Sequence, residues 1–300
     1  MFKNILFATA ATGASDHAAR VAFNIAENCN SHVTIFHVLG VPSRGFSQVV
    51  VDVKTREKVE VDGEYTAWVK EEIRTYYEKY LDKGLDCTID VAVGVPAREI
   101  LRRARAIKPD LVLIGGSTGS DEEVFYKKYA AGSTLQKVAR SAPCPVLAVN
   151  RPAASFWGGV SNIVFGTDFS KTADRTFDFA LKVARTMECE LHVFHAVDIN
   201  PVPGGTLLLS QDEIELKIRE ALKEIRKRYW PGLKTLKACS MDVCEGIPYF
   251  EIVKYARDKH ADLIIMAHHS KKMVEENARF GGNVEQVIVR AGCPVLSMNK

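Results

Sequence analysis

The feature that most constrains the fold of this chain is an internal duplication. Residues 94–116 read GVPAREILRRARAIKPDLVLIGG, and residues 246–268 read GIPYFEIVKYARDKHADLIIMAH. The beginnings of the two copies match as well, because residues 4–23 resemble residues 162–181, and both copies end with the sequence CPVL. The repeat units of solenoid proteins are roughly 20–50 residues long. A much longer period indicates two copies of a whole domain.

Each copy has the length of an ordinary domain. The sequence predicts a first domain at residues 1–150, a linker at 151–160 and a second domain at 161–300. In each copy, short runs rich in β-branched residues alternate with longer amphipathic stretches. In the first copy we expect strands near 5–9, 32–38, 87–93, 111–115 and 145–149, and helices near 15–28, 62–83, 97–107 and 132–141. In the second copy we expect strands near 163–167, 190–197, 237–243, 262–267 and 294–298.

Strands that are apolar throughout and are separated by helices are typical of a parallel sheet covered on both faces. The sequence therefore predicts an α/β protein with two doubly wound domains, each built on a five-stranded parallel sheet. Ligands of such sheets bind beyond the carboxyl ends of the strands. Residues 40–61 and 198–210 follow the second strand of each copy, differ in sequence and length, and are predicted to be loops or lids there.

Composition excludes several classes of function. The net charge of +3 comes from 40 basic and 37 acidic residues, without the basic runs that indicate nucleic-acid binding. The sequence lacks an apolar stretch of the roughly 18 residues that a membrane helix needs, so we expect a cytoplasmic protein. The seven cysteines form no C-x-x-C pair and are expected to be reduced. Cys144 and Cys293 are equivalent, and either pack before the last strand or form a redox pair.

A glycine-rich segment follows the fourth strand of the first copy. It contains Gly115, Gly116 and Gly119, and then Gly132, Ser133 and Thr134 at the predicted start of a helix. Glycines allow backbone N–H groups to approach a phosphate closely, and a helix N-terminus favours an anion. The same residues also suit a simple turn followed by a helix cap. The segment is therefore a candidate phosphate site, with a purely structural role as the alternative.

A second group of side chains belongs to the second copy. Asp168, His195 and the neighbouring His268 and His269 follow the first, second and fourth strands. Imidazole and carboxylate groups are zinc ligands, and a zinc site of this kind activates water. The competing interpretation is that His195 packs, since it matches His37 in the repeat, and that one of the adjacent histidines points away.

In order, and twice, these motifs resemble the universal stress protein family. The resemblance comprises a T-D-x-S loop after strand 1, a G-x-P-x-x-E-I segment before a helix, a glycine loop after strand 4 and CPVL in strand 5, and it covers nearly the whole chain. It implies two tandem flavodoxin-like (adenine nucleotide alpha hydrolase-like) domains. In that family, the Asp of strand 1 and the end of strand 2 hold adenine, while the glycine loop and the following Gly-Ser hold ribose and phosphates. Some members bind ATP and others do not.

Carried onto this chain, the resemblance implies two incomplete sites. The first copy keeps the glycines but has Ala10 in place of the Asp, and its glycine spacing is longer than that of the family; the second copy keeps the Thr-Asp pair and lacks the glycine pair. The implied ligand-binding residues of the first copy are Thr9, Val38, Gly115, Gly116, Gly119, Gly132, Ser133 and Thr134. Those of the second copy are Thr167, Asp168, Val197, Ala267, Ser270, Gly281 and Gly282.

The function implied is a stress-response regulator that binds ATP or AMP in at least one domain, with Mg²⁺ accompanying ATP and no other metal. The first copy is favoured for a phosphate-bearing nucleotide, because a side chain near phosphate costs more than one lost adenine hydrogen bond. For the second copy, AMP or another adenosine-like ligand is favoured over ATP. We expect no turnover enzyme, at most slow ATP hydrolysis.

The alternatives are a ligand-free interaction module with decayed pockets and, less favoured, a metal-dependent hydrolase in the second copy. Family members dimerise through the last strand, so the strands at 145–150 and 294–299 are expected to pair within this chain as a pseudo-dimer. A further homodimer, formed by two whole chains, is compatible with such pairing. The sequence does not identify the protein partners.

Overall fold

The computed structural model describes residues 1–40, 49–51, 58–60, 62–115, 134–153, 159–199, 209–268 and 282–299. The described residues divide into two compact units, one that ends at Asn150 and one that begins at Arg151. The two units are described separately below. Both follow the alternation of strands and helices that the sequence predicts, which confirms the α/β fold class.

Among the described residues, the first unit contains seven strands, four α-helices and one turn of 3-10 helix at Gly13–Ser15. The strands are β1 (Asn4–Thr9), β2 (His32–Gly40), β3 (Val49–Val51), β4 (Lys58–Glu60), β5 (Cys87–Gly94), β6 (Leu111–Gly115) and β7 (Val146–Val149). The helices are α1 (Asp16–Cys29), α2 (Gly63–Leu81), α3 (Pro96–Ile107) and α4 (Thr134–Ser141).

The second unit repeats this order. Its strands are β8 (Asn162–Gly166), β9 (Glu190–Asp198), β10 (Cys239–Gly246), β11 (Leu263–Ala267) and β12 (Val295–Met298). Its helices are α5 (Lys171–Met187), α6 (Gln211–Leu233), α7 (Pro248–Asp258) and α8 (Asn283–Arg290).

The main sheet of each unit is parallel throughout. In the first unit the strand order is β5-β2-β1-β6-β7, and in the second it is β10-β9-β8-β11-β12. In both sheets, strand order reverses direction at the first strand of the copy, which lies between its second and fourth main strands. The carboxyl ends of these three strands therefore flank the crevice where ligands of open α/β sheets bind.

One predicted loop contains additional structure. The segment 40–61 includes an antiparallel hairpin in which Val49–Val51 pairs with Lys58–Glu60. Three consecutive valines favour a strand, and the prediction of a loop or lid overlooked them. In the second copy, residues 200–208 of the corresponding segment lie outside the described residues.

The core of each sheet is made by the apolar strands, and the helices cover both faces. Leu6, Phe7, Val164 and Phe165 in the first strands of the two copies are completely buried. Aromatic side chains from α2 and α6 pack on them, with Tyr77 against Phe7 and Tyr229 against Phe165. Among the described helices, none is both long and apolar enough to cross a membrane.

Candidate functional site

The loop after the first strand has the same backbone conformation in both copies. In each copy, one residue of this loop has a positive φ although it is not glycine: 50° at Ala11 and 60° at Phe169. In each copy the threonine two residues earlier accepts a hydrogen bond from this residue's amide, at 2.9 Å from Ala11 to Thr9 and 3.0 Å from Phe169 to Thr167. Strained backbone of this kind concentrates at functional sites.

Both threonine hydroxyls are also tied to a buried tyrosine. Thr9 lies 2.6 Å from the hydroxyl of Tyr77, and Thr167 lies 2.8 Å from that of Tyr229. Burial raises the pKa of both tyrosines, so their hydroxyls stay protonated. The hydroxyls of the two threonines thus form hydrogen bonds within the protein that hold the loop, in place of the contact with a ligand that the sequence predicts.

The histidines of the second strands hold the same loop from the other side. Nδ1 of His37 donates to the carbonyl of Thr9 at 2.9 Å, and Nδ1 of His195 donates to the carbonyl of Thr167 at 2.8 Å. Burial lowers the pKa of both histidines. This agrees with the interpretation that His195 packs as a neutral side chain.

A cleft of about 980 Å³ opens at the carboxyl ends of β8, β9 and β11 in the second unit. We call it the second-domain cleft. The strands contribute Val197 and Ala267 and the loop after β8 contributes Thr167 and Asp168, all of them predicted site residues. The N-terminal end of α8 closes one side with the predicted Gly282, and α6 forms a further wall.

The loop side of the second-domain cleft has an exposed carboxylate and an aromatic wall. Asp168 is exposed, and its Oδ1 accepts the amide of Ser170 at 3.0 Å. The ring of Phe169 lies 4.4 Å from that of His195, centroid to centroid. The guanidinium of Arg228 lies 5.7 Å from the ring of Phe169 and forms ion pairs with Asp174 and Glu224. An acceptor beside a flat apolar wall suits a heterocycle that carries an amino group.

The opposite side of the cleft contains a buried imidazole–carboxylate pair. Nε2 of His268 lies 3.1 Å from Oε1 of Glu285, and the two side chains are 8% and 1% exposed. Nδ1 of His268 is buried and has no hydrogen-bond partner among the residues that the structure describes. Glu285 is in the first turn of α8, next to Gly282 at the helix cap.

The first unit brings part of its predicted site together. Thr9, Val38 and Gly115 lie at the carboxyl ends of β1, β2 and β6, which are neighbours in the sheet. Thr134 is the first residue of α4. The other predicted residues of the glycine-rich segment, Gly116, Gly119, Gly132 and Ser133, lie outside the described residues, as do Ser270, Gly281 and His269 in the second copy.

The described residues do not assemble the zinc site considered from the sequence. Within the described ranges, no three His, Cys, Asp or Glu side chains come together as metal ligands. His195 uses Nδ1 for the carbonyl of Thr167, and His268 uses Nε2 for Glu285. Each of the two histidines therefore has one ring nitrogen engaged within the protein.

The cysteines before the last strands are partly buried thiols. Burial raises the pKa of Cys144 to about 11 and that of Cys293 to about 12. Because the thiolate is the reactive form, both are poor nucleophiles at neutral pH. This favours packing over redox chemistry for these two positions.

Sequence reasoning missed the walls of the cleft. Lys217, Glu220 and Glu224 line it from α6, and their spacing places them along one stripe of a helix. The sequence shows that these residues share one face of a helix. It does not show that this face borders the cleft. The partner of His268 was missed as well, since Glu285 follows it only after the long segment that joins β11 to α8.

Comparisons with known proteins agree with this architecture. The model of the universal stress protein family matches residues 1–150 and again residues 159–297. Universal stress protein MJ0531 of Methanocaldococcus jannaschii is 33% identical over 144 residues, which cover 46% of this chain and 81% of that protein. Universal stress protein MJ0577 of the same organism is 32% identical over 154 residues, which cover 46% of this chain and 94% of that protein.

Among solved structures, a universal stress protein from Archaeoglobus fulgidus is similar over both copies. It has a TM-score of 0.67 and 18% identity, with 99% of this chain and 96% of that chain covered. At this identity the likeness concerns the fold, and the two sequence relatives each match a stretch of about half of this chain.

Proposed function

The chain belongs to the universal stress protein family, in two tandem copies, and we propose that it is a stress-response regulator that binds an adenine nucleotide or a related adenosine compound in at least one copy. The observation that carries this proposal is the second-domain cleft, which lies where ligands of open α/β sheets bind. Its volume is at the upper end of the roughly 300–1,000 Å³ that small-molecule sites occupy. The resemblance to the family supports adenine as the group that would bind at this point.

The chemistry of the cleft supports a purine. The ladder between β8 and β9 ends at the pair Gly166–Phe194, whereas β9 continues to Asp198. Alternation along the strand directs the main chain of Ala196 to the same side as that of Phe194. Ala196 therefore offers backbone groups to the edge of a heterocycle, and the carboxylate of Asp168 offers an acceptor to an exocyclic amino group.

We propose that the bound ligand acts as a conformational signal instead of a substrate to be turned over. A ligand shifts a conformational equilibrium only by the difference in its affinity for the two states. In this chain, the loop at Asp168 and Phe169 is linked through Arg228 to Asp174 and Glu224, on α5 and α6. A ligand that contacts the loop would therefore change how α5 and α6 pack. A partner protein that binds these helices would respond to that change.

The first test is to purify the chain without added ligand, denature it and analyse the released small molecules by chromatography and mass spectrometry. We expect about one adenine compound per chain, and calorimetry should show weaker binding for Asp168→Ala by about tenfold, the loss of one hydrogen bond. Asp178→Ala, at an exposed position on α5, is the matched control. If nothing is released and neither adenosine, AMP nor ATP binds, the proposal is wrong and the ligand-free interaction module takes its place.

A further inference from the structure

The two copies differ at two positions that meet in the second-domain cleft. Alignment of the strands β6 and β11 places His268 where the first copy has Gly116, and alignment at CPVL places Glu285 where the first copy has Gln136. A glycine and a neutral amide are thus replaced by an imidazole and a carboxylate that contact each other at 3.1 Å. The paired change alters the part of the site that the resemblance assigns to phosphate.

The carboxylate of Glu285 lies at the N-terminal end of α8, where an external anion would otherwise be favoured. A Cβ atom added to Gly282, the cap residue of this helix, would lie 2.7 Å from Oε2 of Glu285. The chain therefore places a negative group of its own against the helix terminus, and Glu285 is 1% exposed. A phosphate that approached this terminus would meet a buried carboxylate.

The remaining charges of the cleft act in the same direction. Among its described lining residues, five are acidic and Lys217 is the one lysine; the acidic residues are Asp168, Asp198, Glu220, Glu224 and Glu285. Like charges in a partly enclosed site repel each other more strongly than in bulk water. The cleft is consequently unfavourable for a phosphate dianion and favourable for groups that donate hydrogen bonds.

His268 provides one acceptor for such a group. When Nε2–H donates to Glu285, Nδ1 is the ring nitrogen left to accept a hydrogen bond. Nδ1 is buried, and within the part of the chain that the structure describes no residue donates to it, although buried polar atoms usually have a partner. A hydroxyl group supplies that donor, whereas an ionised phosphate does not.

We infer that the second-domain cleft selects an adenine nucleoside with a free sugar hydroxyl and rejects the corresponding nucleotides, because His268 and Glu285 occupy the phosphate position. This inference rests on the proposed function and specifies the ligand of one of its two sites. The two copies would then differ in specificity. The first copy has neutral residues at the phosphate position, and the second copy binds the unphosphorylated nucleoside.

The test is calorimetric titration of the full chain with adenosine, AMP and ATP. Binding is assigned to the second-domain cleft when Asp168→Ala weakens it. At that site we expect adenosine to bind at least about tenfold more tightly than AMP. The double variant His268→Gly/Glu285→Gln, which installs the residues of the first copy, should remove or reverse this preference.

Because both positions are buried, the conservative variant Glu285→Gln is measured beside the double variant, and circular dichroism verifies that each is folded. Glu285→Gln alone should strengthen AMP binding, while the control Glu215→Gln, at an exposed position on α6, should not. Equal or tighter binding of AMP at the Asp168-dependent site of the unaltered chain overturns the inference and leaves the proposed function intact. Failure of all three ligands to bind overturns both.

Discussion

At the scale of single residues, the threonine at the junction of the first strand and its loop organises the site. The hydroxyl of Tyr229 donates a hydrogen bond to Asp174 at 3.0 Å. The hydroxyl of Thr167 therefore donates to that of Tyr229, and it accepts a hydrogen bond from the amide of Phe169. The buried hydroxyls of Thr167 and Tyr229 therefore both have hydrogen-bond partners. The side chain of Thr167 thus helps to hold Phe169 in its left-handed conformation.

Thr167→Val tests this role, because valine keeps the shape of threonine and removes the hydroxyl. The amide of Phe169 and the hydroxyl of Tyr229 each lose a partner, and a buried unsatisfied group costs about 1–3 kcal/mol. We expect the free energy of unfolding to fall by that amount in urea denaturation. Thr186→Val is the control, since its hydroxyl bonds the carbonyl of Lys182 on the exposed side of α5. Equal losses in the two variants would contradict the assigned role.

The buried histidines predict how stability depends on pH. Burial lowers the pKa of His37, His192 and His195 below the ordinary value of 6.5. Below pH 6.5 the unfolded chain therefore binds protons that the folded chain does not, and stability is lost as the pH falls. We expect the free energy of unfolding to decrease from pH 7 to pH 5, with a smaller slope in His195→Gln than in the control His17→Gln. An unchanged slope in His195→Gln would contradict a neutral His195.

At the scale of elements, the Gly-x-Pro-x-x-Glu segment joins the third main strand to the next helix in both copies. Gly94 and Gly246 have φ angles of 153° and 142°, and the side chains of Glu99 and Glu251 lie directly against them. A Cβ atom on Gly246 would lie 2.6 Å from Cγ of Glu251. The conserved spacing within the chain thus reflects a junction in which the glutamate fills the space that glycine leaves.

Gly246→Ala should destabilise the second unit for two separable reasons. The backbone conformation is unfavourable for alanine, and the new methyl group collides with Glu251, so we expect a loss of about 1–3 kcal/mol in urea denaturation. Gly246→Ala/Glu251→Ala removes the collision and keeps the backbone strain, which divides the two contributions. Gly292→Ala, where nothing lies within 4 Å of the new methyl group, should have little effect. A neutral Gly246→Ala would show that the junction is not constrained.

Much of the element order could be predicted from the sequence, because the duplication provided two independent patterns for each strand and helix. Where the copies differ, this support disappears. The hairpin of β3 and β4 has no counterpart in the second copy's described residues and was predicted as a loop. The strand expected at 237–243 instead spans Cys239–Gly246, since its polar residues weaken the apolar pattern.

The site could be predicted only in part, for a physical reason. Asp168 and Val197 line the same cleft, because the carboxyl ends of neighbouring parallel strands meet at one edge; that they bind a ligand stays a prediction. The contributions of α6 and the pairing of His268 with Glu285 depend on how helices dock on the sheet. No local pattern encodes that docking, and Glu285 in particular looks like an ordinary acidic residue of a first helical turn.

At the scale of the whole molecule, the duplication has preserved geometry and changed chemistry. The loop after the first strand keeps its Thr–Tyr anchor and its positive φ in both copies. The carboxylate of Asp168, however, is replaced by the methyl group of Ala10. Since the backbone conformation of the loop is the same, one substitution can restore the missing carboxylate.

Ala10→Asp should therefore increase the affinity of the first copy for adenine ligands. Ala10 is exposed, so a carboxylate fits without repacking, and one added hydrogen bond corresponds to about tenfold in affinity. The change is made in a chain that carries Asp168→Ala, so that calorimetry with AMP reports the gain at the first copy. Ala10→Asn adds a side chain of the same size without the charge and should give a smaller gain. If AMP binds equally to all three chains, the first copy does not use this loop for adenine, and the two copies differ in more than their side chains.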